Sequence, residues 1–180
     1  MGWQNMKRYL VILMTLVMFV ACQSQHITFN LEKDGVIYSY NDNITFYHPR
    51  YWILSKDELK LSLDIINESE KEALYFDTFE VDASNNKDEL MMLYEAKLKD
   101  LGVEVLTTTE TTLTSGQSCF YLEGKISKNQ AAFCEVVVFV GQKQYIYSYV
   151  ASVEVYEENH EVMVNYLNSL MINEAMKTAL

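Results

Sequence analysis

The chain has 180 residues, 49% of them hydrophobic, with six Gly and one Pro, a composition that excludes collagen-like, disordered and small disulfide-scaffold classes. Its 25 Asp and Glu against 14 Lys and Arg give a formal charge of -11, which excludes a nucleic-acid binder of the usual kind because such proteins display a basic stripe. One globular domain is expected, with a core that needs no structural metal.

The chain opens with an address. Lys7 and Arg8 precede an apolar run over residues 9–21 that only Thr15 interrupts, too short for a comfortable bilayer span and suited to a signal-peptide core. The run ends Phe19-Val20-Ala21-Cys22, which resembles a bacterial lipoprotein signal: small Ala before the Cys, an apolar residue three before it, and the Cys22 thiol as the lipidation nucleophile. Phe19 stands where Leu is usual. The organisation read from this is a signal peptide over 1–21, a short linker over 22–30 after the lipidated cysteine, and a single domain over 31–180. Removing Lys7 and Arg8 makes the exported chain more acidic still. Anionic headgroups repel such a body, so a fatty-acyl anchor such as palmitate on Cys22 would have to hold it to the membrane.

Residues 36–40 and 44–48 are β-rich and flank Asn41-Asp42-Asn43, which predicts a hairpin that Pro49 stops at an edge strand. Alternation over 59–65 and the run 73–81 predict two more strands. Leu90, Leu93, Tyr94, Leu98 and Leu101 recur at helical spacing over 87–101, with Asp88 and Glu89 in the first turn and Gly102 at the C-cap, so that stripe is assigned to the core. Four strands then follow at 103–112, 118–126, 132–140 and 145–153, separated by turn-forming residues. In the last strand Tyr145, Tyr147 and Tyr149 share one face and Ile146 and Val150 the other, which predicts a central strand covered on both sides. A second helix from about residue 156 carries Val162, Met163, Tyr166, Leu167, Leu170 and Met171 on one stripe.

Several phrases carry a resemblance in the right order over residues 44–172. Ile44-Thr45-Phe46-Tyr47-His48-Pro49-Arg50-Tyr51-Trp52 is an aromatic strand ending in Tyr-x-Pro with Trp close behind, and Ser115-Gly116-Gln117 with Tyr121 is a glycine turn followed by an aromatic strand. Tyr145-Ile146-Tyr147-Ser148-Tyr149 and Tyr166-Leu167-Asn168-Ser169-Leu170-Met171-Ile172 complete the set. Together they resemble the PsbP-like family, which includes the photosystem extrinsic protein and bacterial lipoproteins of the DcrB and LpqN kind. The resemblance implies an α+β fold, a PsbP-like α/β sandwich of mainly antiparallel sheet covered by helices. It also implies an accessory or binding role, and supplies no catalytic motif.

Candidate chemistry is sparse. Cys119 and Cys134 lie on neighbouring strands in an oxidising compartment, so a disulfide is open: a loop of about six residues sets them opposite each other, whereas a tight Lys128-Asn129 turn sets Cys119 opposite Val138. Buried free thiols are the plain alternative. Glu157, His160 and Glu161 fall at i, i+3 and i+4, a weak candidate for one divalent metal, although the same residues serve the helix dipole as a surface face. No Gly-x-Ser-x-Gly, His-Glu-x-x-His or phosphate-binding glycine loop occurs, so no enzyme and no cofactor are expected. The expected protein is a monomeric, lipid-anchored accessory or binding protein on the extracytoplasmic side of the cell membrane, engaging another envelope component. A small-ligand or metal-binding lipoprotein is the alternative, and a thiol-redox protein the third reading.

Overall fold

A computed structural model of the chain describes residues 29–40, 43–57, 62–67 and 71–173. The order is α1 (Leu31–Asp34), β1 (Gly35–Tyr40), β2 (Ile44–Pro49), β3 (Ile53–Asp57), β4 (Ser62–Asn67), β5 (Glu72–Glu80), α2 (Lys87–Asp100), β6 (Val103–Thr112) and β7 (Ser118–Ile126). A 3-10 turn at Ser127–Asn129, β8 (Ala131–Val140), β9 (Lys143–Ser152), α3 (Val153–Leu167) and β10 (Met171–Ile172) follow. All strand pairs are antiparallel, in a seven-stranded sheet of order β3-β4-β5-β9-β8-β7-β6 and a three-stranded sheet of order β1-β2-β10.

The tyrosine-rich strand β9 is central, between β5 and β8, and every side chain from Gln144 to Tyr149 is buried. On one face of the large sheet, Leu63, Ile65, Leu74, Phe76, Val136, Tyr145, Tyr147 and Tyr149 pack against Met163, Tyr166 and Leu167 of α3 and Ile44 and Phe46 of β2. Phe46 lies between Phe76 and Tyr147 with ring centroids at 5.1 and 4.6 Å, so the small sheet is bound to the large one through an aromatic stack. On the other face, Phe120, Leu122, Phe133, Val137, Phe139 and Ile146 pack against Leu90 and Met91 of α2. Trp52 packs at the edge of the first cluster.

Chain signals account for the helix ends. Asn86 and Glu89 form a reciprocal capping box at the start of α2, each bond 3.0 Å, and Gly102 takes φ +80° just beyond its end. Gly124 on β7 has a different reason: a Cβ there would stand 2.2 Å from the Glu104 carbonyl oxygen and 2.5 Å from the Phe133 ring. Only glycine lets Phe133 cross the strand beside the irregularity that sets Leu106 out of register between Val105 and Thr107.

Four expectations are corrected. Leu93 and Leu101 are not core: they are 59% and 69% exposed, while Leu90 and Met91 are buried and Tyr94 and Leu98 half-buried. A helix lying on a sheet buries one strip, here centred on Met91, Tyr94 and Leu98, and Leu93 stands about 200° around the axis from Met91 at 100° per residue. Met171 leaves the second helical stripe, because α3 stops at Leu167 and Met171 enters β10 against Thr45. Pro49 ends the middle strand of the small sheet rather than an edge strand, yet β10 reaches only Thr45 and Ile44, so no ladder partner is lost at the proline. Finally, β3 carries no period-2 pattern and was not expected; as an edge strand exposed at Ile53 through Lys56 it needs none.

Glu135 is a buried carboxyl on the α2 face, 4% exposed. It accepts a 2.9 Å bond from Ser148 Oγ beside the Tyr94 hydroxyl, its other oxygen lacks a well-formed bond, and burial pushes it up to about 7.

Two stability measurements test these assignments. In chemical denaturation Leu90→Ala should cost about 2–4 kcal/mol and Leu93→Ala less than about 0.5 kcal/mol; a larger loss at Leu93 would put that residue back in the core. Glu135 holds its proton in the folded state up to about pH 7 whereas an unfolded glutamate releases it near 4.5, so its contribution falls as pH rises through that window. Glu135→Gln should remove a decline on the order of 3 kcal/mol between pH 4.5 and 7.5. Burial lowers the His48 pKa, so that residue acts with the opposite sign below pH 6.5, and an unchanged slope in Glu135→Gln would refute the assignment.

Candidate functional site

Cys22, which the sequence reading expects to be the lipidation site, lies outside the described residues. The two remaining cysteines are placed. Both are buried and free, on the same sheet face. The β7–β8 register pairs Cys134 with Glu123 and Phe120 with Val137, so continuing it one step sets Cys119 opposite Val138, four residues along the strand from Cys134. That separation is about 13 Å at 3.3 Å per residue, beyond the reach of a disulfide, so the Cys119–Cys134 bond is corrected to two isolated thiols. The 3-10 turn over Ser127–Asn129 is the reason: it makes the connection short and selects the offset register. Burial pushes the Cys119 thiol up to about 11 and the Cys134 thiol up to about 12, which suppresses the thiolate.

The acidic start of α3 is divided by the helix's own apolar stripe. His160 falls at i+4 from Tyr156 and i−3 from Met163, so it turns toward the sheet, whereas Glu157 and Glu161 are exposed. The imidazole meets β7, with His160 Nε2 at 2.7 Å from Glu123 Oε1 and 2.9 Å from the Tyr121 hydroxyl, which in turn donates to Glu123 Oε1 at 2.6 Å. Glu157, His160 and Glu161 are therefore not brought together around a common point. Among the described residues no three His, Cys, Asp or Glu side chains are placed to hold a metal ion.

A polar seam runs on beneath α3 from this triangle. Tyr156 packs 5.0 Å from the His160 ring and stacks on Tyr149 at 5.8 Å; its hydroxyl is buried without a well-formed hydrogen bond, near the Cys134 thiol. Tyr149 donates 2.7 Å to Glu72 Oε2, which also accepts from Asn159 Nδ2 at 3.1 Å, while Glu72 Oε1 accepts from Asn67 Nδ2 at 2.9 Å. Glu72 is buried, and both its oxygens are occupied. Burial first, then Cys134 and Glu123 for Tyr121 and Glu72 for Tyr149, push the two phenols well above their ordinary range. Sequence reasoning missed these residues, although alternation offered a signal: Glu72 falls in period with the core residues Leu74 and Phe76, and Glu123 in period with Tyr121 and Cys119. The seam can share protons and hold α3 to β4, β5 and β7. It presents no activated nucleophile.

Two of the clefts that the described residues line are sizeable. One of about 480 Å³ lies between the end of α2 and the start of β6, lined by Glu95, Lys99, Gly102, Val103, Glu104 and Val105. The other, about 310 Å³, has Ile66, Lys71, Tyr75, Asn129, Val150 and Ser152 among its lining residues and lies on the part of the sheet that α2 does not cover. Both are open to solvent rather than enclosed.

No family model and no curated protein matches the sequence. Among solved structures, cyanobacterial PsbP from Synechocystis superposes with a TM-score of 0.63 at 12% identity, covering 84% of this chain and 99% of that one. The Ran-binding protein Mog1p of Saccharomyces cerevisiae superposes with a TM-score of 0.53 at 13% identity, covering 77% and 95% of the two chains. The described chain is therefore an α+β domain with the fold of cyanobacterial PsbP and Mog1p, as the phrases from Ile44 to Ile172 lead one to expect.

Proposed function

We propose that this protein is a lipid-anchored, non-catalytic accessory or binding protein on the extracytoplasmic face of a bacterial membrane, akin to the DcrB and LpqN lipoproteins, and that it engages another envelope component. The observation that carries the binding role is a set of apolar and aromatic side chains left exposed on an otherwise strongly acidic domain: Ile53, Leu93 and Phe79 are 59%, 59% and 40% exposed. Such exposed residues suit a protein partner better than a small ligand, which calls for an enclosed pocket with converging polar groups. Protein recognition is also compatible with the scaffold, since Mog1p is a Ran-binding protein. The suppressed thiols weigh against the redox reading. The anchor rests on Lys7, Arg8, the apolar run behind them and Phe19-Val20-Ala21-Cys22. Among the described residues no helix is long and apolar enough to cross a membrane.

Metabolic labelling with a palmitate analogue tests the anchor. The parent should take up label and fractionate with membranes, whereas Cys22→Ser should lose the label and remain as precursor or become soluble. Persistent labelling of Cys22→Ser would refute the lipoprotein assignment. Affinity purification of the labelled protein from its own envelope should return a co-purifying protein, and its absence would remove the accessory role.

A further inference from the structure

The open surface has a definite shape. Helix α2 packs on residues of β6, β7, β8 and β9, among them Val103, Phe120, Leu122, Phe133, Val137 and Ile146, and among the described residues no helix lies on the same face of β5, β4 and β3. Pairing sets the residues of that strip: Ile53 opposite Ile66, Asp64 opposite Tyr75, Ala73 opposite Val150, and Asp77 opposite Ile146. Three adjacent strands span about 10 Å at 4.8 Å per spacing, close to the roughly 10 Å diameter of a single helix. One wall is α2 itself. Lys97 Nζ stands 4.7 Å over the Phe79 ring, and Leu93, one turn earlier on the same flank, is 59% exposed beside it. The other side is open at the edge strand β3, so α2 is the single wall.

We propose that this strip between α2 and β3 is a groove that takes an amphipathic basic helix of another protein; the proposal rests on the accessory reading above. Its floor supplies the half-buried Ile66 and Tyr75 and the small, buried Ala73, with the exposed Ile53 at the β3 margin, apolar side chains that the stripe of an amphipathic helix would meet. Asp64 is exposed and Asp77 half-exposed on the strip; Lys97 on the α2 wall is engaged on Phe79, and Lys71, just before β5, is a further cation at the end of the strip beside Ile66 and Tyr75. A helix with Lys or Arg flanking its apolar stripe pairs with those two carboxylates, and the protein's formal charge of -11 attracts it from a distance. The same charge opposes a second copy of this chain in the groove. Glu135 and Ser148 lie beneath the α2 margin of the strip, joined at 2.9 Å, so the floor is braced before any partner arrives.

Photo-crosslinking of the full-length chain in its own cells tests the groove. A benzoylphenylalanine placed at Ile53 or, in a second variant, at Tyr75 should give one adduct, and sequencing of the crosslinked peptide should show an apolar stripe at helical spacing flanked by Lys or Arg. Asp64→Lys with Asp77→Lys should cut the adduct about tenfold or more. Glu104→Lys with Glu110→Lys, which changes net charge equally on the far edge strand β6, should leave it. An adduct of two copies, an acidic or extended crosslinked peptide, or equal loss in both charge pairs would overturn the proposal. An adduct formed from Thr109 on β6 and not from Ile53 or Tyr75 would overturn the groove while leaving the accessory reading intact. If no position forms a protein adduct, the accessory reading falls with it.

Discussion

Three phenols must find room and hydrogen bonds inside strand β9, and the rest of the structure follows from how they do so. Tyr145, Tyr147 and Tyr149 are buried on a strand whose other face is also covered. A buried hydroxyl without a partner costs free energy comparable to a lost hydrogen bond. Tyr147 therefore donates 2.7 Å to the Tyr47 carbonyl of β2, which ties the small sheet to the large one. Tyr149 donates to Glu72, and the Glu72 carboxylate in turn gathers Asn67 and Asn159, so one phenol joins β4, β5, β9 and α3. The polar seam beneath α3 is thus a consequence of placing aromatic residues with polar tips at the centre of the sheet.

The two faces are finished differently. The Tyr145–Tyr149 face is closed by α3 and the three-stranded sheet, with Leu167 and Leu170 fully buried. Among the described residues the opposite face receives only α2, whose 14 residues cover the β6 side and leave the β3 side open. The buried carboxyl of Glu135 sits near the boundary between covered and open sheet, with the Tyr94 hydroxyl beside it. One half of the molecule is therefore committed to holding the fold, while the other carries the surface on which Ile53, Phe79 and Leu93 remain exposed.

The alternation of Tyr145, Tyr147 and Tyr149 with Ile146 and Val150 was enough to place β9 at the centre, because a strand covered twice must be apolar or aromatic on both faces. Asn86, Glu89 and Gly102 likewise announce α2, since capping is local chemistry. The same sequence was ambiguous about which leucines of α2 face inward. Leu90, Met91, Met92 and Leu93 are consecutive and apolar, so a stripe can be drawn through several of them, and only the sheet beneath selects Leu90 and Met91. Of the candidate site, His160 was visible as a residue but not its partners: Tyr121 and Glu123 are 39 and 37 positions away.

By itself the sequence determined the acidic charge, the apolar run before Cys22, the alternating strands and the capped helix, because each rests on composition or on periods of two to four residues, while the α+β architecture came from the resemblance carried by the phrases between Ile44 and Ile172. Tertiary structure alone decided that Cys119 and Cys134 stay apart, that His160 turns to Glu123 and away from Glu157 and Glu161, that Leu93 faces solvent, and that a strip of sheet beside α2 is left open. These depend on strand register and on which face meets which. A shift of one residue in register moves a side chain to the other face, and such shifts are settled by the summed packing of distant segments rather than by local preference.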